Sequence, residues 1–190
     1  QSTLSGINTQ EEHSIVWYQR EFSVPSSWRD QRVLLNFGAV DYRCTVWVNG
    51  KIAGHNSGGY VSFTFDITDL LSSNTNVLTV RVVDRPVTSQ PRGKQRAKRE
   101  NYGCWYTPVT GIWQSVWIEA AGHNYIDHVK LTPNIDDDMV QVEYWLNEYG
   151  PHLRLECVVL LEGEEVTTVT LPIAEQHTYY SDIVSRKNGT

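Results

Sequence analysis

Along most of its 190 residues the chain alternates apolar and polar side chains with a period of two, and no segment carries a helical stripe. A period of two sends successive side chains to opposite faces of a strand, so such a chain must bury one face of many short strands. Val16, Tyr18, Phe22 and Val24 share one face of the first strand, interrupted by Arg20. Val33, Leu35 and Phe37 form the face of the next, with Leu34 softening the opposite side. In "YRCTVWVNGKIAG", Tyr42, Cys44, Val46 and Val48 alternate with Arg43, Thr45 and Trp47. Asn49-Gly50 then supplies the positive backbone dihedrals of a two-residue hairpin. Further strands are expected at 62–65, 77–83 and 112–119, which makes the first part of the chain a sandwich or barrel.

After Glu119 the pattern restarts. "AAGHN" reads as a junction, followed by strands at 126–131, 139–146, 152–162 and 166–171 with polar, acidic turns between them. The expected organisation is all-β, with one sandwich over residues 1–121 and a second over 122–190. A length of 190 residues accommodates two modest domains.

Charge and cysteines narrow the function classes. A net charge of -6 argues against nucleic acid as a partner. No apolar run approaches the ~20 residues that a membrane helix requires, so no membrane partner is expected. The N-terminal stretch is polar and carries no signal-peptide pattern. Cys44, Cys104 and Cys157 are an odd number, far apart, with no His at ligand spacing. Cys44 and Cys157 fall in strand patterns as small hydrophobes, and neither a disulfide framework nor a metal site is expected. No cofactor is expected either. The compartment stays open, with the cytoplasm preferred to the periplasm.

One connection is too long for a turn. Residues 84–111 carry three prolines, two internal glycines and a basic cluster of Arg92, Lys94, Arg96, Lys98 and Arg99. The cluster reads as a solvated face, and residues 84–102 are expected to be mobile or weakly packed, because they offer little apolar area to bury. The loop leads into "NYGCWYTPVTGIWQSVWIEA", where Trp105, Tyr106, Trp113 and Trp117 fall within thirteen residues. Alternation places Ile112, Val116 and Ile118 on one strand face and Trp113 and Trp117 on the other. Two tryptophans are costly to leave wet, so both are expected to be buried. His55, in "GHNSGGY", is expected to bond to backbone beside a glycine bend rather than to contact a sugar.

"WYQREFSVPSSW", "VWVNGKIAGHNSGGYVSFTFDITDLL" and "TGIWQSVWIE" resemble, in order and spacing, the sugar-binding domain of glycoside hydrolase family 2, which includes β-galactosidases, β-glucuronidases and β-mannosidases. The resemblance covers residues 4 to about 120 well and the later strands more weakly. It implies a galactose-binding-like jelly roll whose first strands lie upstream, followed by part of an immunoglobulin-like sandwich. It also implies a (β/α)₈ barrel elsewhere in the same polypeptide, carrying the two carboxylates that retaining glycosidases hold about 5 Å apart. The partners so implied are a β-glycoside substrate and that barrel, in a parent that could be a homo-oligomer. On this reading the present chain is an excised, catalytically inactive piece.

In relatives with this loop, an Asp reaches the substrate at the mouth of the barrel, and the matching position here is Trp105. The expected substrate-binding residues are therefore Trp105 and Tyr106. For Trp105, stacking on a pyranose and anchoring of the loop remain equally open. Asn147-Glu148 imitates the family's acid/base dipeptide, but it ends an alternating strand and enters a Gly-Pro turn, so it is not expected to be catalytic. Two rival readings are a free-standing carbohydrate-binding module and a purely structural sandwich protein.

Overall fold

The computed structural model describes residues 12–85, 89–98, 100–137 and 139–173, together with the backbone of 177–184. Two compact units divide between Ala121 and Gly122. Every regular element among the described residues is a strand, apart from two single-turn 3₁₀ helices at Ser26–Trp28 and Thr68–Leu70.

The first unit contains β1 (Ile15–Phe22), β2 (Arg32–Phe37), β3 (Val40–Asp41), β4 (Arg43–Val48), β5 (Lys51–Ser57), β6 (Phe63–Asp66), β7 (Asn76–Val83), β8 (Gly111–Ile112) and β9 (Val116–Ala121). They form a four-stranded sheet in the order β1-β7-β4-β5, a three-stranded sheet β6-β2-β9 and a short β3-β8 pair. Val33, Leu35 and Phe37 of β2 meet Cys44, Val46 and Val48 of β4 and Val80 and Val82 of β7 in one buried core. These are the inward positions that the alternation specifies. Burying each such side chain contributes about 1.5–3 kcal/mol. Asn49 and Gly50 both adopt positive φ and close the β4-β5 hairpin as expected.

β2 is buried on both faces. On its outer side Asn36 accepts from Thr64 Oγ1 at 2.7 Å and donates to Glu119 Oε1 at 2.8 Å. Those bonds allow a polar side chain to sit in the middle of a covered strand.

The stretch 112–119 is not one strand, as the alternation suggested. It breaks after Ile112, leaves the β3-β8 pair, and resumes at Val116 beside β2. The crossing passes tightly over Gly38, where an added Cβ would fall 2.7 Å from Gln114 Cβ. Gly38 N–H closes the crossing on Ser115 O at 2.9 Å. Ile112, Val116 and Ile118 still pack against the core. Trp113 and Trp117 do not share a strand face, and both are about half-exposed, at 49% and 44%. The alternation was right for the apolar face, and the burial expected for the two tryptophans is not found.

The second unit contains β10 (Ile126–Asn134), β11 (Met139–Leu146), β12 (Arg154–Leu161), β13 (Glu164–Pro172) and β14 (His177–Val184). β10-β11-β14 form one sheet and β12-β13 another. Val142, Tyr144, Leu146 and Ile173 make the buried core, with Leu155, Cys157 and Val159 packed against it. Asn147 clips the start of this unit, accepting from Tyr125 N–H at 2.6 Å and donating to His123 O at 2.7 Å.

Candidate functional site

The long connection between β7 and β8 is held at one end of the first sandwich by buried polar side chains. Gln95 donates through Nε2 to Asp41 Oδ2 at 2.9 Å and accepts through Oε1 from Val109 N–H at 3.0 Å. One amide thus ties the loop to β3 and fixes the segment just before β8. A second clamp lies at Asp84, whose Oδ2 accepts from Thr110 Oγ1 at 3.0 Å and whose Oδ1 accepts from Gln90 Nε2. Arg96 is also buried, and it forms an ion pair with Glu12 at 3.0 Å. The described part of the loop is therefore packed at Gln95 and Arg96, where weak packing was expected. Hydrogen bonds do there what apolar area could not. Lys94 and Lys98 are exposed as expected, whereas Arg99 lies outside the described residues.

On this support sits an aromatic surface. The backbone of Tyr106 is bracketed by the loop's outgoing chain: its N–H donates to Lys94 O at 2.9 Å, and its O accepts from Arg96 N–H at 2.7 Å. One residue earlier, Trp105 and Tyr102 exchange backbone hydrogen bonds at 2.8 and 3.3 Å around a turn whose Gly103 has φ 52°. The Trp105 and Tyr102 rings stack with centroids 6.2 Å apart, and Lys98 Nζ lies 4.7 Å from the Tyr102 ring centre. Trp105 is 40% exposed and Tyr106 48% exposed.

A second aromatic pair adjoins the first. Trp113 Nε1 donates to Gly59 O at 2.8 Å, and its ring meets Tyr60 edge-on with centroids 6.1 Å apart. The hydroxyls of Tyr60 and Tyr106 both flank Gly93, where an added Cβ would lie 2.9 and 3.4 Å from them. Gly93 has φ 58°, so both its conformation and its lack of a side chain are used. Tyr60 and Trp113 were not among the expected site residues. The cue available for them was their position beside the Gly58-Gly59 bend and the long loop.

Electrostatics favour neutral donors here. Burial pushes the Asp41 carboxyl above its usual range; the hydrogen bond from Gln95 opposes that, while the nearby charge of Asp84 adds to it. Burial, followed by the charge on Asp41, likewise raises the Tyr60 phenol, which stays protonated as a donor at neutral pH. Exposed rings edged by hydroxyls can take the apolar face of a sugar and hydrogen-bond its rim. Among the described residues, no group of His, Cys, Asp and Glu is arranged to hold a metal ion.

The remaining expected positions lie elsewhere. His55 sits on β5, exposed, and shares a 3.0 Å hydrogen bond between Nδ1 and Thr45 Oγ1, so its local partner is a side chain rather than the expected backbone. Glu148 follows β11 in the turn that Asn147 clips, in the second unit.

Comparison with known proteins gives this geometry a family context. The family description "Glycosyl hydrolases family 2, sugar binding domain" matches residues 2–118. The β-glucuronidase of Rattus norvegicus is 29% identical over 170 residues, covering 80% of this chain and 26% of its own length. The β-galactosidase of Thermoanaerobacter pseudethanolicus is 25% identical over 168 residues, covering 85% of this chain and 22% of its own. Among solved structures, Bacteroides uniformis β-glucuronidase superposes with a TM-score of 0.68 at 20% identity, over 94% of this chain and 22% of that one. A putative β-galactosidase of Bacteroides fragilis gives 0.68 at 21% identity, over 90% of this chain and 27% of that one. The chain spans about a quarter of the length of the curated relatives it matches.

Proposed function

Because this chain belongs to glycoside hydrolase family 2 through that family's sugar-binding domain, we propose that it is the non-catalytic part of a retaining β-glycosidase. In this role the first sandwich supports a catalytic barrel carried elsewhere in the polypeptide. The loop before β8 lines the mouth of the active site. Trp105 stacks on the substrate, or on the sugar beyond it, and Tyr106 supplies a hydroxyl at the same wall.

The observation that carries this reading is the mismatch between how firmly the loop backbone is held and how open its rings are. Buried amide and carboxylate groups fix the main chain on both sides of Trp105 and Tyr106, yet neither ring enters the core. Burial in the core would make Trp105 an anchor for the loop; its exposure fits a ligand platform. The substrate is a β-glycoside. The carboxylates whose charges reach this surface, Asp41 and Asp84, are engaged by Gln95 and by Gln90 and Thr110. Catalysis is therefore assigned to carboxylates outside it.

The test is Trp105→Ala in the complete enzyme, assayed on nitrophenyl β-glycosides. Loss of stacking should raise KM roughly tenfold, since 1.4 kcal/mol is a decade in affinity. An unchanged KM together with a lowered melting temperature would return Trp105 to the loop-anchoring role.

A further inference from the structure

The outer face of the four-stranded sheet carries a second concentration of ligand-type groups, none of them among the exposed aromatic residues described above. Cross-strand partners point to the same face of a sheet, so the pairings Trp17↔Arg81, Arg81↔Thr45 and Thr45↔His55 lay these four side chains in one row across β1, β7, β4 and β5. Val46 and Val80, one position away along their strands, are fully buried in the core, which sets this row on the outside. Trp17 is 59% exposed. It stacks on Trp47 with ring centroids 5.7 Å apart and planes at 20°, and the Arg81 guanidinium lies 5.9 Å from its ring centre.

Beside the tryptophans the sheet face opens into a cleft of about 690 Å³ lined by Arg43, Arg81, Arg85 and His55, with no Asp or Glu among the described residues of its walls. None of the three arginines forms an ion pair among the described residues. His55 Nδ1 is engaged by Thr45, which leaves Nε2 as its remaining polar ring atom. Asp84, next in sequence to Arg85, is turned to other work: it is buried, and its oxygens accept from Gln90 and Thr110. In a chain with a net charge of -6, three guanidiniums converging on one cleft without a carboxylate form a local anion site.

We propose that this sheet face binds an anionic saccharide, with Arg43 and Arg81 taking its carboxylate or sulfate and Trp17 stacking on the adjoining pyranose ring. A guanidinium can grip either group through two parallel hydrogen bonds, and it retains donors for this while stacked on an indole. The tryptophan face supplies the apolar contact that a pyranose presents and that a bare phosphate would not use. Three cations on an otherwise acidic chain match a saccharide charged at intervals better than a nucleic acid charged at every residue.

The proposal is tested on the 190-residue chain by affinity electrophoresis and tryptophan fluorescence, using hyaluronan oligosaccharides, chondroitin sulfate, a neutral β-glucan and a single-stranded oligonucleotide. Hyaluronan and chondroitin sulfate should both retard the chain if the carboxylate is read, and chondroitin sulfate alone if the sulfate is read. Retardation should collapse in 1 M salt, where the Debye length is about 3 Å. Arg43→Ala and Arg81→Ala should each weaken binding roughly tenfold, as expected for loss of a charge-assisted pair. Arg43→Lys should rescue only part, because it restores the charge without the fork. Circular dichroism must show each variant folded. The proposal is overturned if neither anionic chain binds, if the neutral glucan is retained equally, if the oligonucleotide binds more tightly, or if binding follows Trp105→Ala rather than the arginines.

Discussion

Gln95 and Asp41 stand fifty-four positions apart in the chain, and a 2.9 Å hydrogen bond between their buried side chains joins the long loop to the short strand β3. The bond uses the donor end of an amide whose acceptor end is taken by Val109 N–H. Gln95→Ala removes both links and leaves a buried carboxylate without that partner. The expected loss is about 2 kcal/mol in stability, in the range for hydrogen bonds to charged groups. Limited trypsin digestion should then cut the loop at Lys94 and Lys98 faster than in the parent. Equal cutting rates would mean that the amide does not hold the loop.

The same carboxylate makes stability depend on pH. Burial raises its folded-state pKa above the ordinary value of 3.8, so the native chain holds this proton more firmly than the unfolded one. Asp41 therefore contributes stability below pH 3.8 that is lost as the pH rises through its raised folded value. Asp41→Asn keeps an acceptor for Gln95 but cannot titrate. Urea midpoints for parent and variant should be most favourable to the parent in acid, and the difference should move toward the variant as the pH approaches neutral. Parallel curves would show that Asp41 titrates normally.

The strands were legible in the sequence because their signal is local. Val33, Leu35, Phe37, Val46 and Val48 announce their inward faces by alternation alone, and Asn49-Gly50 announces its own turn. The break after Ile112 was not legible, because it depends on a close passage over Gly38, which is distant in sequence and whose N–H donates to Ser115 O. Burial of Gln95 and Arg96 was hidden for a related reason. Their partners, Asp41 and Glu12, are distant in sequence, and a basic loop with no apolar period gives no hint of them. Trp105 and Tyr106 could be picked out by composition and family likeness, but Tyr60 joins them only through folding, by way of Gly93 and Trp113.

Gly111 is another position that the fold constrains from a distance. Its φ is 119°, and a Cβ there would fall 2.1 Å from Tyr18 Oη, the atom that accepts Ile112 N–H at 3.3 Å. Gly111→Ala should destabilise the first sandwich by about 2 kcal/mol or more, through backbone strain and displacement of Tyr18. Tyr18→Phe should cost only about 1 kcal/mol, the net worth of one hydrogen bond. If Tyr18→Phe fully restored the stability of Gly111→Ala, the clash alone would be responsible and the backbone would be unstrained.

The proposed division of labour predicts that the 190-residue chain does not hydrolyse nitrophenyl β-glycosides. Retaining hydrolysis needs two carboxyl groups about 5 Å apart across a sugar ring. The family-like dipeptide offers only Glu148, beside an Asn147 whose side chain is committed to Tyr125 and His123. Turnover that survives repurification and disappears in Glu148→Gln would give this turn a catalytic role.

Trp105 and Trp113 separate contact from support. Both rings are substantially exposed, but only Trp113 has an indole N–H bonded to the backbone, at Gly59, next to the Tyr60 ring it meets edge-on. Trp113→Ala removes that bond and its packing against Tyr60, and should lower stability by about 1–2 kcal/mol. Trp105→Ala loses a stack with Tyr102 at the surface, worth about 0.5–1.5 kcal/mol at most in buried aromatic pairs and less where water reaches both rings. Urea unfolding of the 190-residue chain should therefore rank Trp113→Ala below Trp105→Ala, while KM in the complete enzyme should respond to Trp105→Ala more strongly. The reverse order in both measurements would make Trp113 the sugar-facing ring and Trp105 the anchor of the loop.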